Sequence, residues 1–210
     1  GDLPYEIGLL TNLNYIHLSD CGISGQIPPT IGNLEDLISI QIYDNNHDLP
    51  DSLNMDIDSN LSGEIPMEIG NLQSLQQLQL NNNHLQGEIP LEIGNLSNLL
   101  SLNLSGNQLV GEIPDEIMNL SNLKYLSLSN NQLNGLVPPN LEALSGLEIL
   151  DINNNFFEGG IPKEFGNLSS LIWLSLSGNQ LSGYIPTEIT KLESVYLLDL
   201  SSNNFEGPIP

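Results

Sequence analysis

The stretch LLSLNLSGNQLVGEIPDEIMNLSN, residues 99–122, contains the pattern that decides the fold of this chain. It follows the 24-residue consensus L-x-x-L-x-L-x-x-N-x-L-x-G-x-I-P-x-x-I-G-N-L-x-x, and copies follow one another without a break from residue 75 to residue 194. A further copy lies at residues 13–36, and incomplete units open and close the chain. A fixed period of this length is typical of solenoids, whose repeats pack on their neighbours. The sequence therefore predicts one domain over residues 1–210, with about eight units of which both terminal ones are partial.

The spacing inside the unit predicts how each turn of the solenoid is built. In L-x-L the two leucines point to one side and the residue between them to the other, as in a short strand. Stacked copies would pair these strands in parallel and form one sheet. The glycine of L-x-G permits a sharp bend, and the proline that follows fixes φ and removes an amide donor. The chain is therefore expected to turn there and to return on the opposite side.

The asparagine of L-x-x-N ends the strand and is predicted to be structural. A buried amide group both donates and accepts hydrogen bonds, so a column of asparagines can bridge successive turns of a solenoid. In the first copy a cysteine takes this position, where a small buried thiol with a weak S–H donor can substitute. The predicted ladder consists of Cys21, Asn83, Asn107, Asn131, Asn155, Asn179 and Asn203.

The charge balance narrows the range of partners. The chain has 26 acidic and 3 basic residues and a formal charge of −23 at pH 7. Such a chain repels phosphate backbones and anionic lipid, so nucleic acid is excluded as a partner and a cationic ligand is favoured. No apolar run of about 20 residues occurs, so no membrane contact is expected within this segment.

The carboxylates do not indicate an enzyme. Several of them recur at one-repeat spacing, as Glu64, Glu88 and Glu112 do in front of Ile-Pro. Glycoside hydrolases use two carboxyl groups that face each other across a cleft in different environments, and a repeating surface column offers neither condition. The chain is therefore predicted to be non-enzymatic and to need no cofactor.

The segments LSLSGNQLSGYIPTEITKL, LNLSGNQLVGEIPDEIMNL and LQLNNNHLQGEIPLEIGNL resemble the plant-specific class of leucine-rich repeats, whose hallmark is L-x-G-x-I-P. The resemblance implies an α/β-type leucine-rich-repeat solenoid, a right-handed superhelix with a parallel concave sheet and a largely irregular or 3-10 helical convex side. In that class the repeats form ectodomains of receptor-like kinases and receptor-like proteins, and secreted polygalacturonase inhibitors. The resemblance thus implies an extracellular or cell-surface module that binds a protein, peptide or polysaccharide on its concave sheet.

Residues at the third, fifth and seventh positions of each unit are expected to project from the exposed face of this sheet. Most are short and neutral, and exposed aromatic side chains on a rigid sheet are typical anchors for a partner. The alternative is a solvated face on which the aromatics add only cross-strand packing. The residues predicted to bind a partner are Tyr15, Tyr43, Tyr125, Asp151, Trp173 and Asp199.

One unit is 14 residues longer than the others, and the excess falls within residues 43–60. Long insertions in repeat proteins usually form surface loops and often carry function. The segment DIDSN, residues 56–60, alternates oxygen ligands as a calcium loop does, although a solvated acidic loop explains it as well. The candidate ligands for calcium are Asp44, Asp48, Asp56 and Asp58.

Five N-x-[ST] sequons predict glycosylation if the protein is secreted by a eukaryote. They lie at Asn60, Asn95, Asn103, Asn119 and Asn167, and the repeat consensus itself contains N-L-S.

Both ends of the chain lie in mid-repeat, which predicts either a piece of a longer array or head-to-tail self-association of copies. The sequence leaves open a second class of function, namely a structural, adhesion or filament-forming solenoid, and more remotely an ice-binding surface made of the Ser and Asn rows.

Overall fold

The computed structural model describes residues 1–44 and 60–210, which form a solenoid with one sheet on each side of the core. The first sheet, here called sheet A, contains within the described residues eight parallel strands in the order β1-β3-β5-β7-β9-β11-β13-β15. These strands have three residues each and are formed by the L-x-L part of each unit. Their bounds are Tyr15–His17, Ser39–Gln41, Gln77–Gln79, Ser101–Asn103, Tyr125–Ser127, Ile149–Asp151, Trp173–Ser175 and Leu197–Asp199.

A second parallel sheet, sheet B, follows the asparagine of each unit and was not foreseen from the sequence. The described residues place eight strands in it, in the order β2-β4-β6-β8-β10-β12-β14-β16. The L-x-G segment therefore pairs with its neighbours before the chain bends, and the prediction of a single sheet was wrong. The bounds are Gly25–Gln26, Leu61–Gly63, His84–Glu88, Gln108–Gly111, Gln132–Leu136, Phe156–Gly159, Gln180–Tyr184 and Asn204–Glu206.

Short 3-10 helices form the return path, and the described residues contain no α-helix. Each follows a proline with an extended ψ, and in the fourth helix the Ile93 amide donates to the carbonyl of Pro90 at 3.1 Å. The predicted repeat solenoid with a 3-10 helical return is confirmed. The helices span Tyr5–Leu9, Pro29–Asn33, Met67–Asn71, Leu91–Asn95, Asp115–Asn119, Pro139–Ala143, Lys163–Asn167 and Thr187–Lys191. No helix within the described ranges is long and apolar enough to cross a membrane.

The core lies between the sheets and the 3-10 helices and is almost entirely aliphatic. In the central repeats the leucines of L-x-L, such as Leu102 and Leu104, are 0% exposed, and so is Ile93 in the 3-10 helix, whereas Leu198 in the last strand of sheet A is 45% exposed. Neighbouring strands of sheet A pair residues one unit apart, as Ser101 does with Tyr125. Ser39 instead pairs with Gln77, which is 38 residues further on. The longer unit is thus accommodated without a change in the pairing of its flanking strands.

The ladder asparagines bridge successive repeats through buried hydrogen bonds. The Nδ2 group of Asn131 donates to the carbonyls of Leu104, 27 residues earlier, at 3.0 Å and of Leu128 at 3.1 Å, and its Oδ1 accepts from the Leu109 amide at 3.0 Å. The same three contacts recur at Asn107, Asn155, Asn179 and Asn203. Asn83 keeps both donations, reaching Ile42 across the longer unit.

Cys21 departs from this pattern and corrects the expectation of a buried thiol. Its side chain is exposed, and its Sγ donates to the carbonyl of Ser19 at 3.0 Å. This local bond to the residue two positions earlier is one that the ladder asparagines also make. The thiol is shorter than an amide, and Cys21 follows β1, which is an edge strand of sheet A within the described residues.

Candidate functional site

The outward surface of sheet A brings an apolar row together from four neighbouring strands. Tyr125 pairs with Ile149, Ile149 with Trp173, and Trp173 with Leu197, so the four side chains lie side by side in register. Neighbouring strands lie about 4.8 Å apart, so the row is about 14 Å long. Trp173 is 39% exposed and the other three side chains are partly buried. We call these four residues the apolar row.

The surroundings of Tyr125, the first residue of this row, shift the pKa of its phenol. Burial raises the pKa of its phenol, a hydrogen bond with the Ser127 side chain opposes this shift, and the negative charge of Asp151 adds to it. The phenol therefore stays neutral at physiological pH and can serve a ligand as both donor and acceptor.

Short hydroxyl and amide side chains form two rows beside the apolar row. Ser127, Ser129 and Ser175 are buried, and the hydroxyls of Ser127 and Ser129 lie 3.3 Å apart. Asn153 connects two strands, since its Nδ2 donates to the Ser175 hydroxyl at 3.3 Å. The surface next to the apolar row is thus polar and mostly neutral, and its side chains are fixed by contacts among themselves.

Asp151 and Asp199 lie on β11 and β15 beside the apolar row, each tethered by the residue two positions later. Asp199 Oδ1 accepts from the Ser201 amide at 3.0 Å and from the Ser201 hydroxyl at 2.7 Å. Asp151 Oδ1 accepts from the Asn153 amide at 3.3 Å and from Asn153 Nδ2 at 2.7 Å. Hydrogen bonds from the Ser201 hydroxyl, the Ser201 amide and Ser177 lower the pKa of Asp199.

The tethering residues were missed in the sequence, although a signal for them exists. An Asp or Asn followed two positions later by Ser or Asn can close a side-chain to backbone hydrogen bond, and this spacing occurs at Asp151 and Asp199. It also occurs at Asn103, whose Oδ1 accepts from the Ser105 amide at 3.1 Å and the Ser105 hydroxyl at 2.7 Å. The same geometry thus forms with a charged or a neutral residue.

Two of the predicted binding residues lie far from the apolar row. Tyr15 is on β1, six strands from Trp173 or about 29 Å away, and its ring meets the His17 ring edge to face with centroids 6.0 Å apart. Tyr43 follows β3 and is partly buried. The structure therefore brings Tyr125, Asp151, Trp173 and Asp199 together but leaves Tyr15 and Tyr43 near the other end of sheet A.

The predicted calcium ligands fall largely outside the described residues. Asp48, Asp56 and Asp58 lie there, within residues 45–59. Asp44 is exposed and accepts a hydrogen bond from Asn82 Nδ2. Over residues 1–44 and 60–210 no group of three or more His, Cys, Asp or Glu side chains is arranged to hold a metal ion.

The sequons fall into three structural settings. Asn95, Asn119 and Asn167 are each the last residue of a 3-10 helix, and all three are exposed, away from sheet A. Asn103 lies on sheet A and its Oδ1 is engaged by Ser105. Asn60 is 6% exposed and its Nδ2 lies 3.1 Å from Nε2 of His84. Asn95 and Asn119 are therefore the best placed to carry a glycan, whereas the Nδ2 group of Asn167 donates a hydrogen bond to Glu142 Oε2.

Part of the negative charge lies on the opposite flank, where an open groove runs between sheet B and the 3-10 helices. Glu88 at the end of β6 and Glu112 directly after β8 line one side of it, and Glu92, Asp115 and Glu116 line it from the helices. Sheet A, by contrast, presents few charges. The two flanks of the solenoid therefore differ strongly in electrostatic character.

Comparison with known proteins agrees with this architecture. Family models of the leucine-rich repeat match residues 12–34, 74–96 and 98–120 as single repeats, residues 121–159 as two copies, and residues 145–205. A search of curated proteins finds no match. Among solved structures, the leucine-rich repeat ectodomain of the membrane receptor kinase GASSHO1/SCHENGEN3 from Arabidopsis thaliana is 38% identical, with a TM-score of 0.91 over 100% of this chain and 24% of that chain.

Two further solved structures are similar to this chain. The Arabidopsis receptor kinase HAESA, in complex with the peptide hormone IDA and the co-receptor SERK1, is 34% identical with a TM-score of 0.88 over 100% of this chain and 33% of that chain. A plant ice-binding protein is 30% identical with a TM-score of 0.72 over 100% of this chain and 71% of that chain. The chain belongs to the leucine-rich repeat family. It spans 24% of GASSHO1/SCHENGEN3 and 33% of HAESA, and thus well under two thirds of either receptor chain.

Proposed function

We propose that this chain is a non-enzymatic extracellular binding module of the plant type that holds an extended peptide, or an extended segment of a protein, on sheet A. The observation that carries the proposal is the apolar row, which is fixed in register on a rigid sheet beside neutral hydroxyl and amide groups. Large side chains anchored on a rigid surface give affinity, because they lose little conformational freedom on binding. The polar rows next to them supply hydrogen bonds for a ligand backbone.

The relatives support a peptide rather than a small molecule. One similar structure is described as a plant peptide hormone receptor, RGFR1, in complex with RGF2, and HAESA is described with a peptide hormone and a co-receptor. GASSHO1/SCHENGEN3 is described as a membrane receptor kinase, and the part that resembles this chain is its ectodomain. Glycans at Asn95, Asn119 and Asn167 would leave sheet A open, which is compatible with an extracellular setting.

The apolar row gives the first test of this proposal. Peptides are selected on the immobilised chain from a displayed library of random dodecapeptides, and the selected peptides are titrated against single-site variants. Trp173→Ala and Tyr125→Ala are each expected to weaken binding about tenfold, since aromatic anchors carry a large share of interface affinity. Fluorescence anisotropy of labelled peptides measures the change.

Tyr15→Ala is the matched control, because Tyr15 is an equally positioned aromatic residue at the far end of sheet A and should leave the affinity within twofold. A library that yields no binder, or binders unaffected by both Trp173→Ala and Tyr125→Ala, would contradict the proposal. Binding of polysaccharide and head-to-tail association of copies remain separate predictions from the sequence. The similar structures support neither of them.

Ice binding is a second candidate, favoured by one observation. The plant ice-binding protein is matched over 71% of its own length, much more than the receptors are. Rows of Ser and Asn repeat along sheet A at about 4.8 Å, which gives a regular array of hydroxyl and amide groups. If this is the function, the chain at micromolar concentration will stop the recrystallisation of ice at sub-zero temperature, whereas a peptide-binding module will behave like an albumin control.

A further inference from the structure

In the part of the chain that the structure describes, few carboxylates lie on the outward face of sheet A. Among the described residues at the third, fifth and seventh positions of the repeats, Asp151 and Asp199 are the only carboxylates. The nearby ion pair, Lys124 Nζ to Glu148 Oε1 at 3.0 Å, lies at the preceding position and neutralises itself. A ligand on the apolar row would therefore meet two separate negative charges on a neutral background.

Both carboxylates are held ready for a cationic partner. The Oδ1 atoms of Asp151 and Asp199 are tethered in the same way by Asn153 and Ser201, which fixes the rotamer of each side chain. At Asp199 the hydrogen bonds also lower the pKa, so the group is ionised at any physiological pH. Fixed, ionised carboxylates favour charge-assisted hydrogen bonds with Arg or Lys.

The distance between the two backbones favours a ligand whose side chains recur at the same spacing. Asp151 and Asp199 lie on β11 and β15 with β13 between them, so their backbones are about 9.6 Å apart. In a β-strand, side chains on one side recur about every 6.6 Å, and neither one nor two such steps give this distance. A polyproline II helix has three residues per turn and rises about 3.1 Å per residue, so residues i and i+3 share a side about 9.3 Å apart.

The apolar row suits the same conformation. A polyproline II chain has no internal hydrogen bonds, so its carbonyl groups need donors from a receptor or from water. Ser177 follows β13 between the two carboxylates, but its hydroxyl already donates to Asp199, so water is left to meet these carbonyl groups. The apolar row runs parallel to the two carboxylates, two positions earlier on the same strands. One side of the ligand can thus meet carboxylates while another meets Trp173 and Leu197.

We infer that the ligand of sheet A is a peptide in polyproline II conformation, running across the strands, with two basic side chains three residues apart bound by Asp151 and Asp199. This inference rests on the proposed function, because it specifies the ligand of the same face. The first basic side chain lies over Asp151 and the second over Asp199, and apolar residues between them lie on the apolar row.

The test uses a defined probe, the fluorescein-labelled peptide Gly-Pro-Arg-Pro-Leu-Arg-Pro-Leu-Gly, with the two arginines three residues apart. Control peptides place the arginines two or four residues apart or replace both with neutral citrulline. The probe is expected to bind at least about fivefold more tightly than each control, as paired charges on a partly exposed surface allow. The preference should shrink as ionic strength rises.

The double variant Asp151→Asn/Asp199→Asn removes both charges and keeps the fold, since Asn103 forms the same tether in the native chain. The spacing preference is expected to fall to within twofold in this variant. Equal binding of all spacings, no binding of the probe, or a preference that survives in the double variant would overturn the inference. If library-selected peptides bind in a Trp173-dependent way without a basic pair, the proposed function stands and only this inference fails; if no peptide binds, both fail.

Discussion

Replacing Asn131 with alanine is expected to lower the free energy of unfolding by about 3 kcal/mol, because it leaves several buried polar groups without partners. Asn131 is 7% exposed and its amide group bridges two repeats. In the variant the Leu109 amide and the carbonyls of Leu104 and Leu128 lose the hydrogen bonds that Asn131 supplies. Each unsatisfied buried group costs about 1 to 3 kcal/mol. Urea unfolding followed by circular dichroism measures the loss.

Asn134→Ala is the matched control, since Asn134 belongs to the same repeat, is exposed and lies on the outer side of β10. Its loss is expected to change the free energy of unfolding by less than about 0.5 kcal/mol. If both variants unfold at the same urea concentration as the parent chain, the ladder contributes nothing to stability. The hydrogen bonds between repeats would then be replaced by water, which the burial of Asn131 argues against.

The sequence predicts most of the solenoid because its repeat contains the relevant physics within a few residues. Burial of Leu102 and Leu126 follows from the alternation of L-x-L, and the ladder role of Asn107 and Asn131 follows from the need to satisfy backbone groups where a strand ends. Cys21 could not be placed correctly in this way. Its burial depends on which strands flank β1, and the pattern within one repeat does not contain that information.

The strands of sheet B could not be predicted from the sequence of a single repeat. Gly111 has φ of +81° and ends β8, so the sequence indicates a bend at this glycine. The residues before it still pair with the next repeat, as Gln132 does with Val110, but this pairing exists only when the repeats are stacked. A strand of two to five residues is stabilised by its neighbours and not by its own alternation, so its formation is a non-local event.

The sequence likewise predicts some features of the candidate site and not others. The register of Tyr125, Ile149, Trp173 and Leu197 is set by the repeat length and was visible in the sequence. The sequence also predicts a neutral polar surface beside them. It does not show that Ser127 and Ser175 are buried by their neighbours, because that depends on the larger side chains that flank them across the strands.

Gly94→Ala is the second variant with a large expected effect, and it probes the spacing between repeats. Gly94 lies in the 3-10 helix Leu91–Asn95, and a Cβ atom there would come within 2.6 Å of Glu116 Cβ in the next repeat and would also clash with the Glu116 carbonyl group. The backbone of Glu116 cannot move without shifting its whole turn. Overpacking of this kind typically costs 1 to 3 kcal/mol, so we expect a loss of about 3 kcal/mol in urea unfolding.

Gly146→Ala separates this clash from the general effect of adding a methyl group. The nearest atom to a Cβ at Gly146 is the Leu123 carbonyl oxygen at 4.0 Å, and Gly146 is not in the left-handed region. The same substitution there is expected to be neutral or to stabilise the chain by up to about 1 kcal/mol, because alanine restricts the unfolded state. Equal destabilisation by both variants would show that glycine is required for backbone flexibility. A loss confined to Gly94→Ala would show that this glycine sets how closely the repeats stack, and with it the strand spacing on which the apolar row and its two carboxylates depend.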